Sequence, residues 1–173
     1  MRLIDFFDRG VAMGSARQCL KDDVSTKTFA QVQERSYRIA QALHRDGLRP
    51  GDKVTIFSQN CAVAFECILG VLRAGCVWVP VNSKNVVAEN NYILGNCDVV
   101  FVFYHSELSN EISELLRGTA VKRSVCMDRQ DNGAVFIDDW LSCVAALDLD
   151  VERMPNDIAT ISSSGGTTGR PKG

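Results

Sequence analysis

The sequence predicts an α/β fold, a mainly parallel sheet flanked by helices on both faces, and three observations carry that prediction. Short β-branched runs recur along the chain: KVTIFS (53–58), VWVPV (77–81), DVVFVFY (98–104), VKRSVCM (121–127) and IATISS (158–163). Between them lie stretches of helical length and period, the pattern of parallel strands joined by right-handed helical crossovers. The chain has 173 residues, 46% of them apolar and 23% charged, which are globular averages. A chain of this length forms one domain or one compact subdomain and buries roughly 70% of its unfolded surface.

Taken in order, the amino terminus MRLIDFFDRGVAMG has Asp5 and Asp8 among its apolar residues, so it lacks the uninterrupted apolar stretch of a secretory signal. The first clear helix begins at Thr28, where TFAQ fits a capping box: Thr28 accepts from the Gln31 amide while the Gln31 side chain reaches back. Phe29, Val32, Ile39, Ala40 and Leu43 recur at helical spacing, and Gly47 and Pro50 end the helix. The turn RPGD (49–52) then feeds the first strong strand. A second helix, from about Asn60 to Ala74, is apolar nearly all round and is expected to be buried on several sides. Asn60 is its expected cap, Arg73 complements the carboxyl end of its dipole, and Gly75 provides a left-handed exit. Further helices are expected near 86–96, 106–117 and 138–147, and DLDVERMPND (148–157) reads as a surface connection.

Nineteen basic and twenty-one acidic residues leave a net charge of −2 without a basic block, which excludes a nucleic-acid footprint. The most apolar region, CAVAFECILGVLRAGCVWVPV, is broken by Glu66 and Arg73 and falls short of the about 20 apolar residues of a membrane span. A soluble, cytoplasmic protein is expected. The seven cysteines form no C-x-x-C pair and have only His44 and His105 to join them, so they are expected to be reduced core thiols rather than zinc ligands. Glu66, Asp52 and His105 are isolated ionisable residues with expected structural or solvated roles.

The last twelve residues, SSSGGTTGRPKG (162–173), follow the final predicted strand. In open α/β sheets, ligands collect beyond the carboxyl ends of the strands. Gly165, Gly166 and Gly169 permit positive φ and let a polyanion approach backbone N–H groups directly. Ser164, Thr167 and Thr168 add hydroxyl donors, and Lys172 adds a mobile positive charge behind the stiff Pro171. Composition alone leaves a phosphate cradle and a solvated Ser/Gly linker both open. A Walker-type loop would place Gly before the Lys and Ser or Thr after it. Here Pro171 precedes Lys172 and Gly173 follows, which removes the magnesium-holding hydroxyl.

SSGGTTGRPKG resembles the phosphate-binding signature of the adenylate-forming superfamily, which includes acyl-CoA synthetases, luciferases and adenylation domains of peptide synthetases. Gly165 occupies a slot often held by Ser. The segment TFAQVQERSYRIAQALHRDGLRPGDKVTIFSQN is similar to the family's opening helix, turn and first core strand, and GVLRAGCVWVPVNSK to its next signature. Asn82 after Val79-Pro80-Val81 is nearer the acid–CoA ligases than the amino-acid-activating modules, although Ser83-Lys84-Asn85 departs from their usual Pro-Arg-Leu.

The resemblance implies a first α/β subdomain, residues 1–173, of an acyl-CoA synthetase-like enzyme, ending at the phosphate-binding loop 162–173. It implies the chemistry of an AMP-forming acid–thiol ligase, with ATP, Mg2+ and CoA required by the full-length enzyme, a carboxylic acid as partner, and Ser164, Gly165, Gly166, Thr167, Thr168, Gly169 and Lys172 holding nucleotide phosphates. No catalytic acid, base, nucleophile or metal ligand is assigned within the chain, which on this reading is an amino-terminal piece, inactive alone, of a protein about three times longer. A non-catalytic scaffold with the same fold, an adenylation domain serving a carrier protein, and a P-loop phosphohydrolase are the competing expectations.

Overall fold

The computed structural model describes residues 1–163 except Val24, Asn132, Asp150, Arg153 and Pro155. Its elements are α1 (Leu3–Gly14), β1 (Gln18–Lys21), β2 (Thr26–Thr28), α2 (Phe29–Arg45), β3 (Lys53–Phe57), α3 (Ala62–Arg73), β4 (Val77–Trp78), α4 (Val87–Asn96), β5 (Val99–Tyr104), α5 (Ser109–Leu115), β6 (Arg123–Cys126), β7 (Val135–Phe136) and α6 (Ile137–Leu141). A 3₁₀ turn, Ser106–Leu108, leads into α5.

Five strands form one parallel sheet in the order β4-β3-β5-β6-β7, and β1 and β2 form a separate antiparallel hairpin. Alternation along the central strand divides the core. Phe101 and Phe103 join residues of α2, α3 and α6 on one face, including Ile39, Leu43, Val71 and Trp140. Val102 and Tyr104 join Leu94 of α4 and Leu115 of α5 on the other. Helices therefore cover both faces, as the strand–helix alternation predicts.

Two elements are built as their sequences indicate. The Thr28 hydroxyl accepts from the Gln31 amide at 3.3 Å, and the Gln31 side chain accepts from the Thr28 amide at 2.8 Å. Gly47, with φ 93°, follows α2, and Gly75, with φ 73°, turns α3 into β4. The two helices meet so closely that a Cβ placed on Gly70 would lie 2.3 Å from Ile39 Cγ2.

Other expectations are corrected. Arg73 stands in the last turn of α3 as expected, but its guanidinium is also buried, donates to Asp8 at 2.7 Å and Ser36 at 3.0 Å, and lies 3.9 Å from the Tyr37 ring centroid. The cap of α3 falls at Cys61, which makes no side-chain cap bond; Asp22, from the turn after β1, accepts from the Ala62 amide at 3.3 Å. The expected 138–147 helix stops at Leu141. The 158–163 run is reduced to one parallel bridge, Trp78 to Thr160. All seven thiols are free, but Cys67, Cys76 and Cys126 are buried, Cys19, Cys61 and Cys97 are half-buried, and Cys143 is exposed.

Candidate functional site

Sheet order locates the place where a ligand can collect. From β3 the chain crosses through α3 to β4 on one side, and from β5 through α5 to β6 on the other. These crossovers lie on opposite faces, so the loops after β3 and β5 diverge and leave a crevice between their carboxyl ends. The backbone closes its floor, with the His105 amide donating to the Phe57 carbonyl at 3.2 Å.

The exits of β4, β5 and β6 on this rim are tied down. The buried Thr55 hydroxyl donates to the Val79 carbonyl at 2.6 Å, fixing the chain as it leaves β4. Beyond Pro80, the Asn82 carbonyl accepts from the Asn85 amide at 3.0 Å and from the buried Asn90 side chain at 2.8 Å. At the β5 and β6 exits, Asp128 accepts from the Ser106 amide at 2.8 Å and hydroxyl at 2.6 Å, with His105 Nε2 at 3.8 Å. Burial alone would raise the Asp128 carboxyl, but the Ser106 hydroxyl and amide, the Cys126 thiol and His105 together hold it below its ordinary value. Burial, then the bond to Asp131, drives the Tyr104 phenol far upward. These groups are committed to one another and brace the rim.

The segment ahead of the glycine-rich stretch joins this rim at the β4 edge. The Trp78 amide donates to the Ala159 carbonyl at 3.0 Å, and the Ile161 amide donates to the Trp78 carbonyl at 3.0 Å. The bridge is parallel, so residues 159–161 run with β4 and the chain at Ser162 heads toward the carboxyl ends of the strands. All seven candidate residues, Ser164, Gly165, Gly166, Thr167, Thr168, Gly169 and Lys172, lie outside the described residues. Among the described residues no His, Cys, Asp and Glu side chains cluster to hold a metal ion, and no helix is long and apolar enough to cross a membrane.

The three isolated ionisable residues have structural partners. Asp52 accepts from the Arg49 amide at 2.7 Å and shapes the turn before β3. Glu66 is fully buried and receives Lys27 Nζ at 2.7 Å and Arg35 Nε at 3.0 Å. His105 sits on the crevice beside Asp128. Asp22, Ser106, Asn90 and Asp128 were not singled out by sequence pattern. Asp22, Ser106 and Asp128 act through contacts 22 to 40 residues apart in sequence, and Asn90 reaches back from α4 to the Asn82 carbonyl, which no local motif announces.

An AMP-binding enzyme model matches residues 7–173. The chain belongs to the AMP-binding enzyme family. Within that family it is 30% identical over 179 aligned positions to a 3-oxocholest-4-en-26-oate–CoA ligase of Rhodococcus rhodochrous, covering 100% of this chain and 32% of that protein. A medium/long-chain-fatty-acid–CoA/3-oxocholest-4-en-26-oate–CoA ligase of Mycobacterium marinum is 29% identical over 160 positions, covering 84% and 28%. The fold superimposes on an anthranilate CoA ligase solved with anthranoyl-AMP at a TM-score of 0.93 and 22% identity, over 99% of this chain and 33% of that one. The chain thus spans about a third of the length of the curated relatives it matches.

Proposed function

We propose that the chain, residues 1–173, is the first α/β subdomain of an ATP-dependent acid–CoA ligase and supplies its grip on the nucleotide phosphates. The single observation that carries the reading is the parallel pairing of residues 159–161 with β4. It supports delivery of SSSGGTTGRPKG to the ligand-collecting rim of the sheet. In the reaction, a carboxylate oxygen attacks the α-phosphorus of ATP, the bond to the bridging oxygen breaks, and pyrophosphate leaves. The thiol sulfur of CoA then attacks the acyl carbonyl, and AMP departs with the oxygen that linked it.

The protein's part in the first step is to neutralise charge gathering on the β- and γ-phosphates. Ser164, Thr167, Thr168, the backbone amides of Gly165, Gly166 and Gly169, and Lys172 are the groups assigned to it. Mg2+ would add positive charge against the phosphates when bound; no ligand for it is assigned to this chain. Carboxylic acids of the fatty, aromatic and steroid-acid classes all fit this reading. Seven thiols without a disulfide support a reducing, cytoplasmic setting.

The test is ATP–pyrophosphate exchange by the polypeptide that the native gene encodes. Lys172→Ala is expected to slow exchange about 100-fold, the typical loss of one transition-state donor. An unchanged rate removes Lys172 from the site.

A further inference from the structure

The chain leaves the sheet early at β4. That strand pairs with β3 at Val77 and Trp78 only, and Pro80, two residues on, has no N–H with which to extend the pairing. Val79 is fully buried, and among the described residues no backbone amide donates to its carbonyl. Its donor is the hydroxyl of Thr55, at 2.6 Å, from the middle of β3. Thr55 is itself fully buried, on the side of the sheet where Phe57 and Val79 pack. A valine there would fill nearly the same space and bury more apolar surface. What the hydroxyl adds is this one bond.

The segment on the far edge of β4 hangs on it. Val77 and Val79 turn their amides to β3, donating to the Asp52 and Val54 carbonyls at 2.8 and 2.9 Å. Trp78, between them, turns its backbone the other way. Its amide donates to the Ala159 carbonyl and its carbonyl accepts from the Ile161 amide, both at 3.0 Å. Residues 159–161 thus reach the body of the sheet through β4. A buried carbonyl without a donor is costly, so loss of the hydroxyl would draw Val79 outward toward water. Trp78, one residue back, moves with it and carries both of the bonds that place Ala159 and Ile161.

We propose that Thr55 is a positioning residue for the ligase reaction: acting through the Val79 carbonyl and Trp78, it sets where residues 159–161 hold the start of SSSGGTTGRPKG. It touches neither substrate nor nucleotide. The proposal rests on the ligase reading above, in which a displaced phosphate grip weakens both the hold on ATP and the departure of pyrophosphate.

The experiment pairs ATP–pyrophosphate exchange with amide hydrogen exchange in the natively encoded polypeptide. Thr55→Val is expected to lower kcat/KM for ATP at least about tenfold, with KM itself raised. A smaller folded fraction would lower kcat and leave KM where it was. Thr55→Ala removes the same donor with a different change in packing and is expected to share the effect. Thr55→Ser keeps the donor and is expected to recover most of the loss. In the Val and Ala variants the Trp78 and Ile161 amides are expected to lose protection while Phe103 of β5 and Val125 of β6 keep theirs. An unchanged KM in both of these variants, a Ser variant as impaired as the Val variant, or wild-type protection at Ile161 overturns the proposal. A wild-type polypeptide that exchanges no pyrophosphate with any carboxylic acid overturns the ligase reading instead, and protection at Ile161 then still decides what Thr55 holds.

Discussion

Glu66 shows how burial and charge compete at one side chain. Burial pushes its carboxyl above the ordinary 4.5, while the bond from Lys27 and the charges of Lys27 and Arg35 pull it down without cancelling the rise. A raised carboxyl means that the folded protein holds a proton the unfolded chain has released. Stability contributed by Glu66 therefore falls as pH climbs from 4.5 through the raised folded value. Asp8 and Asp128 have the opposite sign: both are held below their ordinary 3.8 and lose their contribution as pH falls through their lowered values. Glu66→Gln is expected to destabilise the fold by about 1–3 kcal/mol, because two cations lose their counterion. It is also expected to abolish the decline in Tm just above pH 4.5, read by thermal melts across pH. A mutant with the wild-type slope would assign that decline to another group.

At the scale of elements, Gly70 sets how closely α2 and α3 approach. Gly70→Ala would gain about 1 kcal/mol of helix propensity. It would also drive a methyl to 2.3 Å from Ile39 Cγ2 and 2.6 Å from Ile39 Cβ, atoms near the rigid branch point of that side chain. The clash is expected to win, with a net loss of about 1–3 kcal/mol in urea unfolding; a stabilised variant would mean that the helices separate freely. The helix α2 was fully legible because cap, apolar period and stop all agree in one local segment. The hairpin of β1 and β2 and the helix α1 were not read from sequence. Gln18–Lys21 is too short to show alternation, and Asp5 and Asp8 interrupt the apolar pattern of α1 until Asp8 is seen to be neutralised by Arg73 from α3. The bond from Arg73 to Asp8 was not read for the same reason, since the two are 65 residues apart in sequence. The two-residue strand β7 carries too little sequence to register at all.

For the whole molecule, strand order matters more than any one contact. The alternating pattern was enough to give the parallel sheet with helices on both faces. It could not give the order β4-β3-β5-β6-β7, and hence could not give the position of the crevice between β3 and β5. The candidate phosphate-binding residues were legible as a motif of glycines, hydroxyls and one lysine, whereas the braces around the rim depend on loops that meet only after folding. The pairing of residues 159–161 with Trp78 links the two. The Trp78 indole N–H is buried and has no hydrogen-bond partner among the described residues, and its backbone holds the segment that leads into SSSGGTTGRPKG on both sides. A change in that segment has to reach an indole whose emission depends on its polarity and bonding. The Trp78 emission, taken as the difference between the natively encoded polypeptide and its Trp78→Phe variant, is expected to change on addition of ATP, and Lys172→Ala to silence the change. The edge of the sheet would then serve as a built-in optical gauge of nucleotide arrival.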